Sequence, residues 1–333
     1  MEPNISGIVS KRVEGIPVSP NSFFPRTWFS ERPSLVKSIC RIGFGFAIAH
    51  HGEILQGIFS DVAGESNRGL VTLPLCQFGS RAVFKPRSFL TKVLVFPKGK
   101  EKARRAAELT LRFIEKDSWG GTLYILSDLP SKFGFGVSTS DVVSTIRSVA
   151  DAFGVLLSSE IIGRLSVEAE IASDSLMYDL TVLFAQREGR VLEYFGIGLP
   201  RMEVLGFCDG PPIDTLAYPP AIYDWRDVEA FKSILGLFRR ALATRNAALL
   251  GHVATASAVI NQKFMPKPNF DHFLRLVDQI GALGIQVSHS GCLVGLLFPH
   301  ETQRLSERIN VARISLQKLG IERTWQFSAG GNA

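Results

Sequence analysis

The chain is predicted to be an α+β protein. Short β-like runs and helix-period segments mix along it without strict β-α-β alternation, and several strand-like runs end in glycine-bearing loops. Its composition, 46% hydrophobic and 20% charged, is that of a globular chain, and 333 residues suffice for one or two domains. No apolar run approaches the ~20 residues of a membrane span. Met1 to Ile5 carry no basic start followed by an apolar block, so no secretory signal is expected and a cytoplasmic location is the default.

Residues 1 to 36 are rich in Pro, Ser and Asn, lack periodicity and are expected to form an extension. Strands are predicted at Phe44–Ala49, Gly69–Leu73 and Lys92–Phe96, followed by a helix over 101–116 with apolar positions at Ala106, Leu109, Leu111 and Ile114. Thr122–Leu126 reads as a strand leading into a glycine loop, and 141–153 as a helix closed by Gly154. Further helices are expected at 159–172, 226–245, 247–262 and 270–282, and a strand at Leu293–Phe298. The Pro/Gly-rich stretch from Gly196 to Pro220 is the best boundary between domains.

The net charge of +6 is modest, and its densest cluster is Lys98, Lys100, Lys102, Arg104 and Arg105. Acidic residues interrupt that cluster and no aromatics interleave it, so it is expected to be a solvated helix face rather than a nucleic-acid surface. The four cysteines (Cys40, Cys76, Cys208, Cys292) have no metal-like spacing and are expected to be reduced and mostly buried.

The chemistry concentrates between Ser127 and Asp141, where Gly134 and Gly136 precede the hydroxyl cluster Ser138, Thr139 and Ser140. Glycines admit close backbone approach, and a helix start offers free N–H groups and a positive dipole end, which together suit a phosphate. Thr139 stands where a Rossmann loop needs its third glycine, and the Gly-Lys-Ser/Thr ending of a P-loop is missing. A plain strand-to-helix turn therefore remains a competing reading of this loop. Two other small-residue loops flank predicted strands: His50–Gly57, and Gly284–Gly291 with Gln286, Ser288, His289 and Ser290.

With these three segments the sequence resembles the GHMP kinase superfamily, whose phosphate loop reads Pro-x-x-x-Gly-Leu-Gly-Ser-Ser-Ala-Ala. Pro130, Gly134, Gly136 and Ser138 match it, while Phe135 replaces the leucine, Val137 the first serine, and Thr139 and Ser140 the alanines. Within the superfamily it is most similar to the L-threonine kinase group, through Gly52–Gly57, Ser138–Asp141 and Gln286–Leu297. The resemblance implies a two-domain GHMP kinase fold: an extension over 1–36, a ribosomal protein S5 domain 2-like ATP-binding domain over 37–200, and a ferredoxin-like domain over 201–333. It implies ATP and Mg²⁺, and phosphorylation of an alcohol hydroxyl, with L-threonine as the leading acceptor. A catalytically inactive nucleotide-binding regulator, a homoserine or isoprenoid kinase, and a transiently phosphorylating decarboxylase are the alternatives.

The same resemblance supplies roles. Pro130 and Gly134 to Ser140 would hold phosphate, and Ser138 would touch Mg²⁺. Apart from the resemblance, Glu168 or Glu170 on the helix after the loop could supply the metal's carboxylate, with Glu168 taken first, or both are solvated helix glutamates. Asp174 would act on the substrate hydroxyl, or else cap a helix. Glu53, Gln56, Ser288, His289, Ser290 and Gly291 would contact substrate or merely stabilise their loops. His50 and His51 point apart on a strand and do not form a metal pair. The expected partners are ATP and a small hydroxylated substrate, without nucleic acid or membrane, and a homodimer is the candidate assembly.

Overall fold

The computed structural model describes residues 40–61, 63–211, 221–300 and 303–331, which lie in one compact unit. The extension expected over 1–36 lies outside the described residues, as do positions 212–220 of the predicted boundary.

The strands are β1 (Gly43–Ser60), β2 (Ser66–Arg87), β3 (Val93–Phe96), β4 (Gly120–Ser127), β5 (Val182–Ala185), β6 (Arg190–Tyr194), β7 (Met202–Cys208), β8 (Gly284–Val287), β9 (Leu293–Pro299) and β10 (Thr324–Ala329). The helices are α1 (Glu101–Phe113), α2 (Val137–Ala152), α3 (Ser159–Glu170), α4 (Trp225–Ala243), α5 (Ala247–Asn261), α6 (Phe270–Ile280) and α7 (Leu305–Gln317). All ten strands join one mixed sheet of order β10-β7-β9-β8-β1-β2-β4-β3, with β5 and β6 attached through β2. This is the α+β arrangement the sequence predicts.

Each part of the sheet buries its apolar face against helices. Phe84, Leu123 and Ile125 pack under α1 and α2 with Ala103, Ala107, Val149 and Phe153. Leu205, Phe207, Ile285 and Phe298 pack under α6 and α7 with Phe273, Ile309 and Leu316. The largest cluster joins β1 and β2 to α4 and α5, where Leu55 and Phe59 meet Phe231, Phe238 and Val253. Fully burying one such side chain contributes roughly 1.5–3 kcal/mol.

Two differences from the sequence reading bear on the site. His50–Gly57, expected as a loop after a short strand, lies inside the 18-residue β1. Ile54 and Leu55 are fully buried there, so the segment stays in the sheet despite its polar residues. The pairing with β2 is irregular between Ile48 and Leu55, and Gly52 adopts a φ of +67°. That irregularity turns His50, His51 and Glu53 inward. The helix expected from Asp141 begins at Val137, which puts Ser138, Thr139 and Ser140 in its first turn. Its predicted end is where Gly154 adopts a φ of +67°.

The cysteines also differ from expectation: Cys40 and Cys76 are exposed, Cys208 is half-buried and Cys292 buried.

Candidate active site

The site forms where α2 begins. Gly136 caps the helix with a φ of 64°, in the left-handed region, and Gly134 also has a positive φ of 109°. The first helical bond runs from Ser140 N–H to Gly136 O at 2.9 Å. The amides of Val137, Ser138 and Thr139 therefore precede the intrahelical ladder and concentrate the positive end of the dipole. Phe135 and Val137 are both 6% exposed. Their side chains enter the core, with the Phe135 ring 5.6 Å from that of Trp325 and 5.9 Å from that of His51. The loop thus presents its backbone, while its two departures from the family pattern anchor it.

Side chains of the first turn reach α3 and the segment beyond it. Ser138 Oγ donates to Glu170 Oε2 at 2.8 Å. Thr139 Oγ1 lies 2.8 Å from Glu170 Oε1 and 3.0 Å from Asp174 Oδ2. Glu170 is 7% exposed. Burial pushes its carboxyl up to about 7, against the pull of Lys102 and the two hydroxyls. Lys102 Nζ stands 3.7 Å from Glu170 Oε2. Glu168, assigned to the metal from the sequence, is only partly buried, and its charged neighbours are Arg105 and Arg112 of α1. Two residues along a helix turn a side chain by about 200°, so Glu170 rather than Glu168 meets Ser138.

Asp174 joins this turn to β1. His50 Nε2 lies 3.0 Å from Asp174 Oδ2, and His50 Nδ1 lies 3.1 Å from Gly52 O. Both ring nitrogens face oxygens that only accept, so both carry protons and His50 is a buried cation. Burial lowers the imidazole, but the charge and hydrogen bond of Asp174, with Glu53, raise it to about 9. Burial would raise the Asp174 carboxyl, yet His50 and Thr139 hold it below the usual carboxylate range. Ligand atoms of His50, Glu53 and Asp174 lie within 4.8 Å of one another. With His50 protonated, that cluster is an ion-pair network rather than a metal site.

The third sequence segment closes the site from the other side. The loop from Ser288 to Cys292 follows β8, and Cys292 N–H donates to Phe133 O at 2.9 Å. His289 N–H donates to Glu53 Oε2 at 2.9 Å, and its Nδ1 lies 3.1 Å from the same oxygen. Glu53 is 3% exposed, so it wires β1 to this loop. His289 Nε2 is buried without a partner among the described residues. Ser288 hydroxyl accepts from Leu293 N–H at 3.1 Å and packs against Gly134, while Ser290 is exposed. Lys267 is buried and donates through Nζ to Ser288 O and Gly291 O. Burial lowers its ammonium to about 8.

The remaining predicted residues lie around this centre. The backbone N–H of Gln56 donates to Ser257 Oγ of α5 at 3.1 Å. Ser140 Oγ donates to Ala47 O at 2.8 Å and fastens α2 to β1. Pro130 is exposed at the loop's entrance. Asp141 accepts from Ser80 and Ser127 at 2.6 and 2.7 Å and pairs with Lys100. Of the basic cluster expected to be a solvated face, Lys100 turns in to Asp141, while Lys102 stays exposed with its Nζ near Glu170. Sequence reasoning set His50 aside and missed Lys267, an isolated lysine between two prolines.

Residues 101–179 match the GHMP kinases N terminal domain. The chain is 25% identical over 203 residues to an L-threonine kinase of Salmonella typhimurium, covering 56% of this chain and 63% of the relative. It is 28% identical over 179 residues to an L-threonine kinase of Citrobacter freundii, covering 52% and 60%. The chain thus spans about three fifths of the length of these curated relatives. Among solved structures it is similar to homoserine kinase from Cytophaga hutchinsonii (TM-score 0.64, 16% identity, 89% of this chain and 97% of that one). It is also similar to L. major mevalonate kinase in complex with R-mevalonate (TM-score 0.59, 14% identity, 91% and 100%). Its fold is theirs, and residues 101–179 carry the likeness to the N-terminal domain of GHMP kinases.

Proposed function

We propose that the protein is an ATP-dependent kinase that phosphorylates the hydroxyl of a small hydroxy amino acid, with L-threonine as its acceptor. The observation that carries this reading is the continuous chain Ser138–Glu170–Thr139–Asp174–His50 at the N-terminus of α2. It sets an anion-binding helix start, a carboxylate–hydroxyl pair and an ionised aspartate side by side. The likeness to two L-threonine kinases supports the choice of acceptor.

Ser138 and Glu170 offer hard oxygen donors beside a helix start suited to phosphate, a donor set that fits Mg²⁺. When bound there, Mg²⁺ would neutralise charge on the transferring phosphoryl group. The protein supplies the rest by position. The α2 amides bind phosphate oxygens, and Lys102, half-exposed beside Glu170, adds a cation. His50 and Thr139 both bond Oδ2 of Asp174, which leaves Oδ1 to accept from the acceptor hydroxyl. A carboxylate held well ionised is a weak base, so Asp174 orients the hydroxyl and takes its proton late, as bond formation acidifies it. Such positioning suits phosphoryl transfer, where little covalent work falls to the protein. His289 Nε2 is available to a ligand at the same junction.

The reading is tested by ADP release across threonine, serine, homoserine, sugars and isoprenoid alcohols, with Asp174→Asn and Ser138→Ala as controls. ATP binding without ADP release on any acceptor would support the regulator alternative instead. Release of CO₂ would support a transiently phosphorylating decarboxylase.

A further inference from the structure

Cys208 ends β7 and Cys292 precedes β9, and Cys208 pairs in register with Leu293, the next residue. Their sulfurs lie 2.6 Å apart, inside van der Waals contact and short of the ~2.05 Å of a bond. Nothing in the proposed reaction uses them. Cys292 ties the phosphate loop to the end of β7. Cys292 N–H donates to Phe133 O of the phosphate loop, and Asp209 N–H donates to Cys292 O, both at 2.9 Å. Gly291 sits so tightly that an added Cβ would lie 2.1 Å from Phe133 O and 2.6 Å from Gly134 N. The buried ammonium of Lys267 lies on the same loop. Cys292 is held below the usual thiol range by the Cys208 hydrogen bond, against burial and with help from Lys267. Cys208 is pushed up as the partner that keeps the proton.

We propose that Cys208 and Cys292 form a dithiol modification site that closes to a disulfide, the oxidant being a low-molecular-weight disulfide of the oxidised-glutathione type, and that the closed form binds ATP more weakly. Cys208, the half-buried member, is the one an oxidant reaches. Its proton leaves to solvent as its sulfur attacks the oxidant, forming a mixed disulfide and expelling one thiolate, which takes up a proton. Cys292 sulfur then attacks that of Cys208, giving up its proton and expelling the second thiolate. The two protein thiols lose two electrons and two protons, and the oxidant gains both as two thiols. Closing the remaining gap draws Cys292 toward β7 and moves the carbonyl of Phe133 and the seat of Gly134 with it. The weakening of ATP binding rests on the proposed kinase reading; the dithiol chemistry does not.

The test uses the full chain with its exposed thiols removed, C40S/C76S, treated with oxidised glutathione and then dithiothreitol. Intact mass and thiol titration should show both remaining thiols lost with two hydrogens and recovered on reduction. Calorimetry should show an ATP Kd at least about threefold higher in the closed form. Adding C208S should abolish the closed form and leave ATP affinity unchanged under the same treatment. Two thiols that persist through the treatment, or a disulfide with unchanged ATP affinity, would overturn the proposal. A reduced protein that binds no ATP would overturn the kinase reading, while mass and thiol count still decide the dithiol.

Discussion

His50 Nε2 and Asp174 Oδ2 are 3.0 Å apart across 124 positions of sequence, and the second nitrogen of His50 bonds Gly52 O. The imidazole is therefore a fixed cation that holds Asp174 ionised beside the start of α2. His50→Gln keeps a side-chain donor but removes the charge, and should lower kcat by roughly 10²-fold, the scale of a lost preorganised electrostatic contact. The ATP Kd should move by less than about threefold, because the α2 amides proposed to hold phosphate are untouched. Steady-state kinetics with nucleotide calorimetry checks this.

The same pair sets a pH dependence. The folded His50 pKa of about 9 lies above the ordinary imidazole value of 6.5. Its contribution to stability is thus fully present below about pH 6.5 and lost as pH rises through about 9. The whole effect is roughly 3 kcal/mol. Asp174 runs the other way: its depressed carboxyl stabilises above the usual carboxylate range, and that contribution fades as pH falls. Urea titrations of wild type and His50→Gln from pH 6 to 10 should converge at the alkaline end. Activity of the wild type should decline over the same alkaline limb.

Glu170→Gln should raise the Mg²⁺ concentration needed for half-maximal activity by roughly 10–100-fold, the range for losing support at a metal site. Glu168→Gln should leave it within about twofold, since Glu168 faces Arg105 and Arg112. Mg²⁺ titrations of the two variants separate them directly. Equal effects would remove Glu170 from the metal role.

Gly136→Ala should cost stability and nucleotide binding together. A Cβ there would lie 2.1 Å from His50 Cδ2, in a backbone of φ +64° that L side chains rarely adopt. Strain of this kind is of order 1–3 kcal/mol, and thermal melts with and without ATP measure it.

Much of this was legible in the sequence, because its signals are local. Gly134 and Gly136 before a hydroxyl cluster mark a helix start, and Gly154 marks that helix's end. What escaped depends on side-chain direction and on tertiary contact. Glu168 and Glu170 are equivalent in composition, and only the phase of α3 against α2 selects Glu170. His50 looked like half of a strand pair, because its partner Asp174 lies far along the chain. Lys267 gives no periodic signal, since its purpose is to bond the carbonyls of a distant loop. The short β5, β6 and β8 offer four or five residues each, too few for alternation to register. The apolar core of β1 hid in the segment His50–Gly57, whose polar residues and glycines mimic a loop.

The central claim is transfer of phosphate to a hydroxy amino acid at the junction of Asp174 and α2. It is tested most directly by incubating the purified protein with ATP, Mg²⁺ and L-threonine and following the products by ³¹P NMR. The account predicts ADP and O-phospho-L-threonine in equal amounts, with both signals lost in Asp174→Asn while ATP binding persists. ATP binding by the wild type with no phosphorylated product from threonine, serine or homoserine would contradict it.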